Sequence, residues 1–155
     1  MSNLPTANNV STILRDLLGR PVSVKDDRVR LQGDVLWARY SNESGDDEAI
    51  WSWDITPGVC VGAALTMVPA DQAQQDIKKG QVDAMAIENF QEVANVLGSL
   101  LNGDGKSRMV LREVGFDDVK KGKVAEKAKA MKNKAHYIVN IDGYGSGPSE
   151  LRRSA

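Results

Sequence analysis

The stretch that most constrains the fold is residues 88–101, which read Glu88-Asn89-Phe90-Gln91-Glu92-Val93-Ala94-Asn95-Val96-Leu97-Gly98-Ser99-Leu100-Leu101. An α-helix turns about 100° per residue, so Glu88, Glu92, Asn95 and Ser99 fall on one line along its axis. Phe90, Val93, Ala94, Val96, Leu97, Leu100 and Leu101 fill the rest of the wheel. A helix apolar over most of its circumference is largely buried, and this one keeps a narrow edge of carboxylates and amides. A solvated face is the ordinary account of such an edge. Two details point the other way. Glu and Asn at i and i+3 are too short to shield much surface, and Val96 stands where a cation four residues on would pair with Glu92. Asn is also a mediocre helix former. Periodicity alone leaves both readings open.

The 155 residues fit a single domain, 1–155, with enough length for a substantial core. A net charge of −1, with acids and bases mixed along most of the chain, argues against nucleic acid as the main partner. The local exception is 120–134, where Lys120, Lys121, Lys123, Lys127, Lys129, Lys132 and Lys134 face only Glu126. We read that run as a solvated helix or loop in preference to an anion site.

Cys60 is the only cysteine, so neither an intrachain disulfide nor a cysteine metal site can form. It lies among Val59, Val61, Gly62 and Ala63, where a small buried residue is expected, and it lacks a neighbouring base. No apolar run approaches the length of a membrane span and no signal-like segment opens the chain, which gives the expectation of a cytoplasmic protein off the membrane. The single histidine, His136, excludes chemistry needing a histidine pair and reads as a surface or rim residue of a strand. Gly143-Tyr144-Gly145-Ser146-Gly147 has no P-loop lysine or following helix, and reads as a turn or flexible tail.

Along the chain, Val10, Ile13, Leu14, Leu17 and Leu18 mark a first helix stopped by Gly19. Short and long strands follow at 22–25 and 34–40, the second pairing with 49–55 as an antiparallel hairpin. All three tryptophans fall in this hairpin, where sheet–helix packing is expected. Pro57-Gly58 ends the hairpin, and a small-residue helix runs over 59–68 up to Pro69. A polar helix or loop at 70–79 closes at Gly80. The central helix spans 82–101, terminated by Asn102-Gly103-Asp104-Gly105. Strands at 107–114 and 135–142 flank a weakly anchored segment holding Val119, Val124, Ala128 and Met131. The end from Gly143 is either one more strand or a loose tail over 143–155. This order gives an α+β fold: an antiparallel or mixed sheet with long helices packed on one face.

Glu92-Val93-Ala94-Asn95-Val96-Leu97-Gly98, set in an otherwise apolar helix behind Ala63-Ala64-Leu65-Thr66-Met67-Val68-Pro69, resembles the signature helix of the CheC/CheX/FliY phosphatase family of bacterial chemotaxis. That family carries Glu-x-x-Asn with a small residue shortly after the Asn, usually preceded four residues earlier by Asp or Ser. Here Glu88 holds that earlier position, and a second Glu-x-x-Asn is missing, so the chain is most similar to CheX. The order of elements matches over about 4–142 and the motif over about 60–101.

The resemblance implies hydrolysis of the aspartyl phosphate of a CheY-like response regulator. That partner supplies the phosphoryl group, Mg²⁺ and a lysine, so the chain needs no cofactor of its own. It implies Asn95 orienting the attacking water and Glu92 pairing with the partner's lysine. Glu88 and Ser99 would extend the partner-binding edge, and a homodimer is expected by the same likeness. Two other classes stay open: a module of this fold that binds a receiver domain or a flagellar-switch partner without turnover, and an assembly protein pairing through sheet edges.

Overall fold

The computed structural model describes residues 4–102 and 108–154. Helix α1 (Ala7–Leu18) starts on a reciprocal cap, in which Thr6 Oγ1 accepts the Asn9 amide N–H and Asn9 Oδ1 accepts that of Thr6, both at 3.0 Å. It stops at Gly19, whose φ of 64° lies in the left-handed region open to glycine.

The strands are β1 (Val22–Asp26), β2 (Asp34–Ser41), β3 (Glu48–Asp54), β4 (Val110–Asp118), β5 (Asn133–Ile141) and β6 (Gly145–Arg153). They form one sheet in the order β1-β5-β6-β3-β2-β4, with every neighbouring pair antiparallel. The expected α+β architecture is present, and the sheet is antiparallel, not mixed. Helices α2 (Ile55–Leu65), α3 (Ala70–Lys79) and α4 (Ala84–Leu97) complete the main set, and a 3₁₀ turn (Gly98–Leu101) follows α4 directly.

Side chains alternate across a strand, and the alternation sorts this sheet into two unequal cores. Leu36, Ala38 and Tyr40 of β2, Trp51 and Trp53 of β3, and Tyr137 and Val139 of β5 face α1, α2 and α4. The opposite face holds a smaller cluster of Leu31, Val35, Trp37, Ile50, Val124 and Met131. Val124 and Met131 flank the six-residue helix α5 (Ala125–Ala130), with Val119 and Ala128 packed beside them. The weak apolar anchors of the lysine-rich run therefore cover the back of the sheet with one short helix, while the long helices pack on the front face as expected.

Several expectations are corrected. Trp37 faces away from the long helices, because it is one residue out of phase with Leu36 and Ala38. Pro57-Gly58 does not end the hairpin from outside: α2 begins at Ile55, and Pro57 sits in its first turn, where the missing N–H costs nothing. Gly58 there admits β2, since a Cβ would stand 2.5 Å from Leu36 Cδ1. Of the two readings left open for 143–155, the structure has the strand, an interior one over Gly145–Arg153 paired with β3 on one side and β5 on the other. Pro148 is tolerated because the β3 pairing begins only at Ser149. His136 is not a rim residue, its side chain being 12% exposed against Glu150. Gly103, Asp104, Gly105 and Ser107, assigned to a helix stop and a strand start, lie outside the described residues.

Candidate functional site

Helix α4 starts on Asp83, whose carboxylate accepts the Ala86 N–H at 2.8 Å. Its apolar positions do what their spacing demands: Phe90, Val93, Ala94 and Leu97 are buried. Two close approaches then fix how the helix lies. Against α2, a Cβ on Gly62 would stand 2.8 Å from Asn89 Cβ, so glycine lets the helices meet. Asn89 Nδ2 donates to Thr66 Oγ1 at 3.1 Å across the same contact. Against the sheet, the buried Tyr40 hydroxyl donates to the Ala94 carbonyl at 2.6 Å. Burial raises the Tyr40 hydroxyl far above its ordinary range, so it stays a donor. Gly98 leaves room for that ring, because a Cβ there would come within 3.1 Å of Tyr40 Cε2.

This fixing turns the polar edge outward. Glu88, Gln91, Glu92, Asn95 and Ser99 are all exposed. Among the described residues, neither the Glu92 carboxylate nor the Asn95 amide has a side-chain hydrogen bond or ion pair, whereas the Ser99 hydroxyl donates to the Val96 carbonyl at 3.0 Å.

A cleft of about 510 Å³ runs between α4 and the edge strand β4. One wall is Ile87, Gln91, Glu92 and Asn95; the other is Leu111, Arg112, Glu113 and Val114. The structure thus brings Glu92 and Asn95 together in one cleft and leaves Glu88 and Ser99 outside its lining. Arg112 is held in place: its Nε donates to Ser41 Oγ at 2.8 Å and its Nη2 to the Asn42 carbonyl at 3.2 Å. Glu113 is engaged by Lys123, whose hydrogen bond holds the Glu113 carboxyl below its ordinary range, helped by the charge of Arg39. Two acids, one of them engaged by Lys123, two amides and a fixed guanidinium therefore share one solvent-open cleft beside apolar ground. Such a set can bind and orient an anionic group and a water.

Gln91, Arg112 and Glu113 were not singled out from the sequence. Gln91 lies about 100° off the Glu92 line, and β4 is held beside α4 by its pairing with β2. No local pattern announces either. Among the described residues, no group of three or more His, Cys, Asp or Glu side chains could hold a metal ion. No described helix is long and apolar enough to cross a membrane.

No family model matches the sequence, and no curated protein does. Solved structures do match. FliY of Thermotoga maritima superimposes with a TM-score of 0.60 at 10% identity, over 97% of this chain and 83% of that one. A chain of the FliM–SpeE complex from H. pylori gives 0.64 at 8% identity, over 94% and 80%. A chain of the CheX–CheY–BeF3–Mg²⁺ complex from Borrelia burgdorferi gives 0.56 at 15% identity, over 94% and 92%. At these identities the likeness is one of fold, and this chain has the CheC/CheX-like fold that those proteins share.

Proposed function

We propose that the chain docks a phosphorylated CheY-like receiver domain on α4 and the adjoining cleft, and hydrolyses its aspartyl phosphate. One observation carries the reading: Glu92 and Asn95, one turn apart, are exposed, unengaged among the described residues, and line the same cleft. A fold neighbour was solved with CheY, BeF3 and Mg²⁺, which supports a receiver domain as the partner class.

Phosphoryl transfer needs positioning and charge stabilisation more than covalent chemistry from the enzyme. The Asn95 amide suits the task because its oxygen accepts from a water while its N–H₂ donates to a phosphoryl oxygen. Glu92 pairs with the partner's lysine, which sets the register of docking. Arg112, tethered on the far wall, offers its remaining donors to the incoming acidic site. The partner brings Mg²⁺ with its phosphoryl group. Glu88 and Ser99 then serve as flanking contacts, with Ser99 limited by its bond to Val96.

The deciding experiment mixes the protein with a phosphorylated receiver domain and follows phosphate release. Asn95→Ala is expected to reduce the acceleration by about a hundredfold or more, as loss of a single preorganised polar group does. Glu92→Lys is expected to abolish it by placing like charges together. Both variants keep the wild-type melting temperature, since both side chains are exposed. Full turnover in the two variants rejects the site. Receiver binding without turnover in the wild type selects the second reading, a non-catalytic module for a receiver or switch partner, which the likeness to a chain of a FliG–FliM complex supports.

A further inference from the structure

The back of the sheet, opposite α4, holds a second hollow of about 580 Å³. The strand register builds its floor as one cross-sheet row, Trp37–Ser52–Glu150–His136. Its walls come from the loop before β2, the start of β2 and the segment after β4, which contribute Leu31, Val35, and Val124 with Ala128 as apolar lining. Arg28, Arg30, Lys120, Lys129 and Lys134 surround this apolar ground.

The charges are unevenly committed. Among the described residues, those five cations make no ion pair. The lining also holds four carboxylates, Asp117, Asp118, Glu126 and Glu150. Asp117 accepts from the Trp37 indole and the Lys123 amide, each at 3.0 Å. Asp118 accepts the Lys120 and Lys121 amides at 2.8 and 3.0 Å. Glu150 lies 2.7 Å from His136 Nε2 and 2.7 Å from Arg152 Nε. With Arg152, six Arg and Lys side chains line the hollow against these four carboxylates, so its lining is net positive in a chain whose net charge is −1, and a concave positive site of this kind concentrates anions.

Ser52 is a second, independent sign. It is 7% exposed, lines the hollow, and its hydroxyl has no hydrogen-bond partner among the described residues. That leaves the hydroxyl open to a ligand atom at the floor of a hollow of ligand size.

We propose that this hollow binds a small organic phosphate. The phosphoryl group sits among the cations, which converge from separate segments and match a dianion with three acceptor oxygens better than a single carboxylate. The organic body lies over the edge of this apolar lining and the alkyl stems of the surrounding Lys and Arg side chains, and one of its polar atoms bonds Ser52. The apolar floor distinguishes the site from a nucleic-acid track, which would present cations along an open surface. The site stands apart from α4 and does not rest on the phosphatase reading.

The test is calorimetric titration of the full chain with glycerol phosphate, adenosine monophosphate and pyridoxal phosphate, beside inorganic phosphate and adenosine. At least one organic phosphate is expected to bind at about 1 mM or tighter, more strongly than inorganic phosphate, and adenosine is expected not to bind. Arg28→Gln and Lys134→Gln, both at exposed positions, each weaken that binding by about tenfold. Ser52→Ala weakens it while the melting temperature holds, and Asn95→Ala leaves it unchanged. The proposal is overturned if none of the three binds. It is equally overturned if inorganic phosphate binds as well as the best of them, or if the Arg28 and Lys134 variants bind like wild type.

Discussion

Tyr40 and Gly98 set the aim of Asn95 without touching solvent. The Tyr40 hydroxyl grips the carbonyl of Ala94, the residue just before Asn95, at the point where α4 passes into its 3₁₀ turn. Gly98 donates its own N–H to the same carbonyl. Tyr40→Phe preserves the ring's packing and removes one of the two donors from a buried acceptor, a loss of about 1–2 kcal/mol. For a chain of this length that lowers the melting temperature by about 2–8 °C. If Asn95 orients water, receiver dephosphorylation falls by more than this stability change explains, because the tether of its turn is gone. Thermal melts and phosphate release on the same preparation read the two effects separately. Equal activity in Tyr40→Phe and wild type would show that the turn is positioned by packing alone.

At the level of elements, β6 is the decisive strand, because it joins β3 to β5 at the middle of the sheet. Removing residues 145–155 leaves two half-sheets with open inner edges and strips cover from Trp51, whose indole N–H donates to Ser149 Oγ at 2.7 Å. The truncated chain is expected to lose its cooperative melt, as followed by near-ultraviolet circular dichroism; an unchanged melt would restore the loose-tail reading. Gly145-Ser146-Gly147-Pro148 reads as a tail because its residue types are depleted from strands. Tertiary contact overrides that propensity: a Cβ on Gly147 would stand 2.7 Å from Pro57 Cδ, so the glycine serves the packing of β6 under α2. The same cause hid the start of α2, since a proline in a first helical turn looks like a strand stop until the turn is seen. By contrast, α1 and α4 were legible from apolar spacing, and the bounds of α3, though not its helical state, from Pro69 and Gly80, because helix periodicity and stops are local signals. The line of Glu88, Glu92, Asn95 and Ser99 was legible on the same grounds. The cleft that separates Glu92 and Asn95 from the other two was not, because its second wall is β4, brought alongside by strand order.

Across the whole molecule, one sheet divides two cores of very different size, and this sets where the protein opens first. The front core ties α1, α2 and α4 to the central strands, while the segment over the back rests mainly on Val124 and Met131. Full burial of two such side chains contributes about 3–6 kcal/mol, less than unfolding the front would cost. Exposed pairs such as Lys127–Glu48 add little. Arg152 Nη1 adds a hydrogen bond to the Ala128 carbonyl at 3.2 Å. Residues 119–131 are therefore expected to open as a local unit beneath the global transition. Hydrogen exchange read by mass spectrometry should show amides of 119–131 exchanging well before those of β3 and β6. Because the same segment walls the basic hollow, a bound organic phosphate should slow exchange at 119–131 and leave α4 as it was. A docked receiver domain should do the reverse. Exchange in 119–131 as slow as in β3 would mean that the two cores unfold as one, and the back of the sheet would then be a fixed wall with no opening of its own.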